Sequence, residues 1–380
     1  MKEYSQEAVN AEIKMALEKM KTPNILICGQ TGAGKSSAVN HLFNDEVAEI
    51  GHKGESCTMD IHLHRGTNLN IYDSEGYEIG GEKQQRYQNL IFDDFLMKPE
   101  NQNIEGVHLV WYAIPAAGKR YTDTDIGLIK KISETHKVCI LLTKIDELDE
   151  EELKQIHAGL KREFSTIQIF RLSIIKEEAV QAYCDWEDLV DWSYNALPDV
   201  CRDRFTSALR RGLAEKQKRA RIAVAIATSA AAAIGALPIP IADAGLLFVN
   251  QSIMIFRIVY LYRIKVGIGS ILSILGTAGV SAFGKLLAGT LLKLIPGKGS
   301  VAGGIINATV ASTITAAMGV TLSKLCYKQC CEMLDGKEVG FDVQQIFSSA
   351  EFISAIKECM NDSSFESTVE ELKKEGKERG

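Results

Sequence analysis

The run Gly29-Gln30-Thr31-Gly32-Ala33-Gly34-Lys35-Ser36 leaves few folds open to this chain. It follows the apolar stretch 24–28, short and branched enough for a buried strand, and it precedes 37–43, which begins a helix. Strand, glycine-rich turn and helix in that order are the setting that the G-x-x-x-x-G-K-[ST] pattern requires. The glycines let main-chain N–H groups converge on phosphate oxygens, and the helix N-terminus adds partial positive charge. In such a loop Lys35 reaches the outer phosphates and the Ser36 hydroxyl holds Mg²⁺. A nucleotide phosphate site is therefore expected here.

Further elements follow at strand ends. Residues 61–64 and 69–72 alternate and predict two antiparallel strands around Gly66, with His62 and His64 facing solvent. The second strand runs into Asp73-Ser74-Glu75-Gly76. There Asp73 suits a magnesium shell and Gly76 can offer its N–H to a γ-phosphate, so Lys35 and Gly76 are the candidate catalytic positions. Between helix and hairpin, 44–58 is polar and aperiodic, the length of a functional loop. Thr58 is its candidate metal ligand, with Ser56 competing. Residues 80–97 predict an amphipathic helix that shifts with the switch. Residues 106–114 and 138–142 are buried strands, the second entering Thr143-Lys144-Ile145-Asp146. Asp146 can accept from both N1–H and the exocyclic amine of guanine while the Lys144 stem covers the ring. Adenine offers no such pair of donors, and guanine is the expected base. A last strand, 167–172, ends at Ser173, either a contact from the other side of the base or an ordinary strand-end serine. This alternation over 24–195 predicts a doubly wound, mostly parallel α/β sheet with its ligand loops at strand C-terminal ends.

With these elements in order, residues 22–175 resemble the G domain of the Era-like (TrmE–Era–EngA type) P-loop GTPases. Gly29 to Ser37, with its second serine, also resembles the immunity-related GTPases. The resemblance implies GTP or GDP with Mg²⁺, held by Gly29, Gln30, Thr31, Gly32, Ala33, Gly34, Lys35, Ser36 and Ser37, by Thr143, Lys144, Asp146 and Ser173 at the base, and by Ser36, Thr58 and Asp73 at the metal. Thr143 stands where the family usually has Asn. Tyr77 stands where Ras-type members orient water with Gln, which implies slow turnover needing another residue, a partner or self-association. From 197 onwards, 197–199, the basic run 216–221, 234–243 and 250–254 resemble the uncharacterised helix-rich domain fused behind bacterial Era-like GTPases.

The expected organisation is an amphipathic helix at 1–21, the G domain at 22–196, an all-α apolar domain at 197–340 and a tail at 341–380 that ends in a fraying, solvated helix. Residues 222–242, 266–284 and 299–323 contain no charged residue, and each reaches the length of a spanning helix. Their Ala, Gly, Ser and Thr content also suits a soluble bundle. Membrane contact through 222–323 is expected ahead of that alternative. A net charge of −6 speaks against non-specific DNA or RNA binding. Nine cysteines without paired spacing suit free thiols in a reducing, cytoplasmic setting, and Cys326 and Cys330 read as one helix face. The expected activity is a slow GTPase switch acting on the helical half. The rivals are a GTP-driven, self-assembling or membrane-remodelling protein, in which homodimers or larger assemblies form, and a ribosome-associated GTPase.

Overall fold

A computed structural model of the chain describes residues 2–43, 55–58, 61–77, 81–101, 105–118, 121–236, 245–263, 308–337 and 350–379. The chain divides into two compact units, 20–215 and 1–19 with 216–380.

The first unit is a seven-stranded sheet flanked by helices. In chain order its strands are β1 (Asn24–Gly29), β2 (Glu55–Thr58), β3 (Ile61–Arg65), β4 (Asn70–Ser74), β5 (Leu109–Pro115), β6 (Lys137–Thr143) and β7 (Gln168–Leu172). Their order across the sheet is β2-β3-β4-β1-β5-β6-β7. β4, β1, β5, β6 and β7 run parallel, and β3 is antiparallel to both β2 and β4. The central strands are apolar on both sides because both faces are covered. Ile25, Ile27, Leu109, Trp111, Cys139 and Leu141 pack on one face, with Val39, Leu42, Leu189 and Phe205. Leu26, Cys28, Val110, Tyr112, Ile140 and Leu142 pack on the other, with Ile91, Leu128, Ile132 and Leu160.

The helices of this unit are α2 (Lys35–Leu42), α3 (Gly81–Gln88), α4 (Asp123–Thr135), α5 (Glu150–Glu163), α6 (Glu178–Gln181), α7 (Trp186–Ala196) and α8 (Asp199–Ala208). Helix α2 starts at Lys35, two residues earlier than the apolar pattern indicates, because left-handed Gly34 serves as its N-cap. The helix expected over 80–97 is α3 followed by a π-helical segment, Asn89–Leu96, with Met97 N–H reaching the Phe92 carbonyl at 2.9 Å. Part of the segment read as an aperiodic loop is strand β2, which pairs with β3 through an irregular register. Its residues 44–54 lie outside the described residues. His62 is half-buried and meets Glu75 at 3.1 Å.

The second unit is helical: α1 (Lys2–Lys19), α9 (Leu213–Gly235), α10 (Gly245–Tyr262), α11 (Ala308–Leu334), α12 (Ala350–Asn361) and α13 (Phe365–Arg379), α9 entering it at 216. α1 buries Val9 and Ile13 and packs on α10. The small residues of α11 allow close approach: a Cβ on Gly319 would stand 2.6 Å from Val224 and 2.8 Å from the Met254 sulfur. Cys326 and Cys330 are both buried on α11. α11 is also the one described helix long and apolar enough to cross a membrane, and 67% of its most apolar window is buried within the protein. The run 266–284 lies outside the described residues, as do parts of 222–242 and 299–323.

The tail differs from the fraying end read in its charges. In α13, Phe365, Val369, Leu372 and Gly376 form a buried stripe, and Arg221 pairs with Glu371 and Glu375. Gly376 lies so close that a Cβ there would stand 2.1 Å from the Ala225 carbonyl oxygen. Apolar spacing at helical period prevails over the charged surface.

Candidate functional site

The loop from Gly29 to Ser36 caps the C-terminal end of β1. Gly29, Gly32 and Gly34 have φ of 131°, 73° and 77°, in the region that favours glycine. A Cβ at Gly29 would stand 2.1 Å from the Ala113 carbonyl oxygen of β5, so the loop passes where a side chain would not fit. Lys35 is buried and its Nζ donates to the carbonyls of Gly29 (3.3 Å) and Gln30 (3.1 Å). Burial pulls its pKa down, and Asp73 opposes that.

Strand β4 delivers Asp73 beside this lysine. Burial pushes the Asp73 carboxyl up to about 6, against the pull of Lys35, His62 and a hydrogen bond with Ser36. Asp73 Oδ1 is buried without a hydrogen-bond partner. A buried, unpartnered carboxylate oxygen next to a serine hydroxyl fits a hard cation such as Mg²⁺. Thr58 lies on the edge strand β2, and its side chain is outside the described residues, as is that of Ser56. Gly76, at φ 86°, adjoins the phosphate loop: a Cβ there would be 2.6 Å from Lys35 Nζ and 2.9 Å from the Thr31 nitrogen. A cleft of about 520 Å³ opens beside it, lined by Thr31, Gly76, Tyr77, Lys83, Arg86 and Tyr87.

A second cavity, about 200 Å³, lies at the other end of the loop. Gly34, Ser37, Thr143, Lys144, Asp146, Ser173 and Trp186 line it. Lys144 adopts a left-handed conformation (φ 56°, ψ 39°), which turns the chain sharply off β6 into the short helix holding Asp146. Ser173, buried at the end of β7, donates its hydroxyl to the Asp146 carboxylate. Thr143 donates to the Ala33 carbonyl at 2.6 Å, so this side chain joins the base motif to the phosphate loop. Gln30 contributes its main chain to the loop, while its side-chain amide donates to Asp125 at 3.1 Å.

The structure adds residues that sequence reading passed over. Trp186 lines this second cavity, donates from its indole N–H to the Ser173 carbonyl at 3.2 Å, and stacks on His41 at 4.2 Å. Burial and the neighbouring Arg211 and Arg210 bring the His41 pKa down to about 4. Arg171 and Asp185 clamp the β7 end to α7 through two parallel bonds of 2.8 and 2.7 Å. Asp125 and Tyr87 stand behind the phosphate loop. The T-x-x-D spacing of Thr122 and Asp125 marks a helix cap in the sequence and gives no sign of burial.

Residues 19–190 match the septin family profile. That match covers the sheet with its phosphate loop and just under half of the chain. Cell division control protein 10 of Candida albicans is 27% identical over 166 residues, covering 37% of this chain and 46% of that protein. A probable GTP-binding protein EngB of Bdellovibrio bacteriovorus is 24% identical over 171 residues, 44% of this chain and 82% of its own length. The chain spans about half the length of the first curated relatives it matches. Among solved structures, a probable GTP-binding protein EngB is matched over 46% of this chain and 98% of its own, at 14% identity and a TM-score of 0.34. The profile match lies within the N-terminal half, and it does not extend to the helical half, whose resemblance to a domain fused behind Era-like GTPases it leaves untouched.

Proposed function

We infer that the chain binds GTP, hydrolyses it slowly to GDP and phosphate, and uses the difference between the two states to govern its helical unit. One observation carries this reading. A phosphate loop has Lys35, Gly76 and Asp73 gathered at one end and a cavity lined by Asp146 and Ser173 at the other. The loop's N–H groups and Lys35 would grip the phosphates, and Gly76 would meet the third of them. Asp146 would accept from the guanine edge, with Ser173 turning from the carboxylate toward the ring. Ser36 and Asp73 would hold Mg²⁺, which neutralises phosphate charge when bound. Tyr77 carries no group able to orient water as a glutamine does, and its phenol is already engaged; this supports slow turnover.

A second reading, in which nucleotide drives self-association and turnover follows assembly, is favoured by the septin likeness of 19–190. Contact of 222–323 with a membrane facing the cytoplasm belongs to either reading and rests on the long uncharged runs. Phosphate release from GTP with Mg²⁺, measured across a range of protein concentrations, separates the two. A constant rate per molecule supports the simple switch, and a rising one supports assembly. No release under any condition would overturn the enzymatic reading.

A further inference from the structure

We propose that Asp125 is a positioning residue that, through the phenol of Tyr77, holds Gly76 against the phosphate loop and so sets the preference for a nucleoside triphosphate over a diphosphate. The proposal rests on the nucleotide reading above.

Asp125 is fully buried at the start of α4, held by the capping box with Thr122. Tyr112, from β5, donates to its Oδ1 at 2.7 Å, and the Tyr77 phenol donates to the same oxygen. Its Oδ2 takes the Gln30 side-chain amide at 3.1 Å and both the N–H and the hydroxyl of Thr122 at 2.8 Å. One carboxylate therefore gathers the phosphate loop, the end of β5 and the segment after Gly76. Charged acceptors of this kind make stronger bonds than neutral ones, and a donor left without its partner here is costly.

Tyr77 is anchored a second time through its main chain. Its carbonyl accepts the Thr31 N–H at 3.0 Å, and it forms a parallel bridge with Gln30. Its ring is buried, 5.0 Å from that of Tyr87. Gly76 sits directly before this doubly fixed residue, in a conformation that favours glycine and beside Lys35 Nζ and the Thr31 nitrogen. The place from which Gly76 can present its N–H is thus set by where Tyr77 is tied. A diphosphate needs only the loop and Lys35, whereas the third phosphate lies between Lys35 and Gly76. Loosening Tyr77 should tax the triphosphate alone.

The test compares the affinities of fluorescent GDP and a non-hydrolysable GTP analogue, with Mg²⁺, for the full chain and two variants. Tyr77→Phe keeps the buried ring and removes the phenol; GDP binding reports that its fold is intact. It should weaken the triphosphate about tenfold while GDP affinity stays within about twofold. Tyr112→Phe removes the other phenol from the same Asp125 oxygen without touching the segment after Gly76, and should leave the triphosphate-to-diphosphate ratio unchanged. Equal losses for both nucleotides in Tyr77→Phe, no loss for either, or an equal shift of the ratio in Tyr112→Phe would overturn the proposal alone. Wild-type protein that bound neither nucleotide would overturn the nucleotide reading and this assignment with it.

Discussion

The phenol oxygen of Tyr87 accepts the backbone N–H of Gly29 at 2.8 Å and lies 2.7 Å from the Ser74 hydroxyl. A residue of α3, the helix after Gly76, thereby satisfies the first residue of the phosphate loop and the strand end that carries Asp73. All of this is buried, so removing the phenol strands a main-chain donor away from water. Tyr87→Phe should cost about 1–3 kcal/mol of stability in urea unfolding, with an unchanged denaturant slope. An effect below about 0.5 kcal/mol would mean that the Gly29 N–H has another partner in solution.

The proposed function places base recognition on one carboxylate. Asp146 and Ser173 line the same cavity, and under that reading the Asp146 carboxylate accepts two guanine donors. Asp146→Asn introduces an amide that donates to a 2-oxo group, so preference should move from guanine toward xanthine nucleotides, read by competition binding. Retention of guanine preference would remove Asp146 from the base site.

Lys216 is fully buried in the helical unit, with its Nζ donating to the Leu261 carbonyl. Burial lowers its pKa from 10.5 to about 7; Cys330 opposes the shift and Arg263 adds to it. Between those two values the unfolded chain binds the proton and the folded one does not. Stability contributed by this group must therefore rise as pH increases through that window, and the penalty of a buried charge is felt below it. Thermal unfolding should show this rise in the wild type and a flatter profile in Lys216→Met. Parallel profiles would contradict the assignment.

Much of the G domain was legible because its central strands are buried on both faces and read as apolar runs, and because glycines mark where the backbone must approach a ligand. Residues whose placement depends on distant partners were not legible. Asp125 is a charged residue in a helix start, a setting usually solvated; beyond its neighbour Thr122, three side chains from elsewhere in the chain, Gln30, Tyr77 and Tyr112, bond to it in the interior. Tyr77 reads as a missing glutamine until its phenol is seen to be engaged. Trp186 lines the cavity beside Asp146 from α7, next to the Arg171–Asp185 pair, and nothing in its sequence neighbourhood marks that position. Strand β2 carries no alternation of its own and exists through main-chain pairing with β3. In α13 the charges conceal the stripe from Phe365 to Gly376 that buries the helix.

Under the proposed function one nucleotide bridges the two ends of the phosphate loop, its phosphates at Lys35 and its guanine at Asp146. Calorimetric titration of the purified chain with GDP and with a GTP analogue, in the presence of Mg²⁺, addresses it most directly. Binding of both at one site per chain, lost or weakened at least tenfold in Lys35→Ala, is the predicted result. No heat with either nucleotide, or affinities untouched by Lys35→Ala, would contradict it.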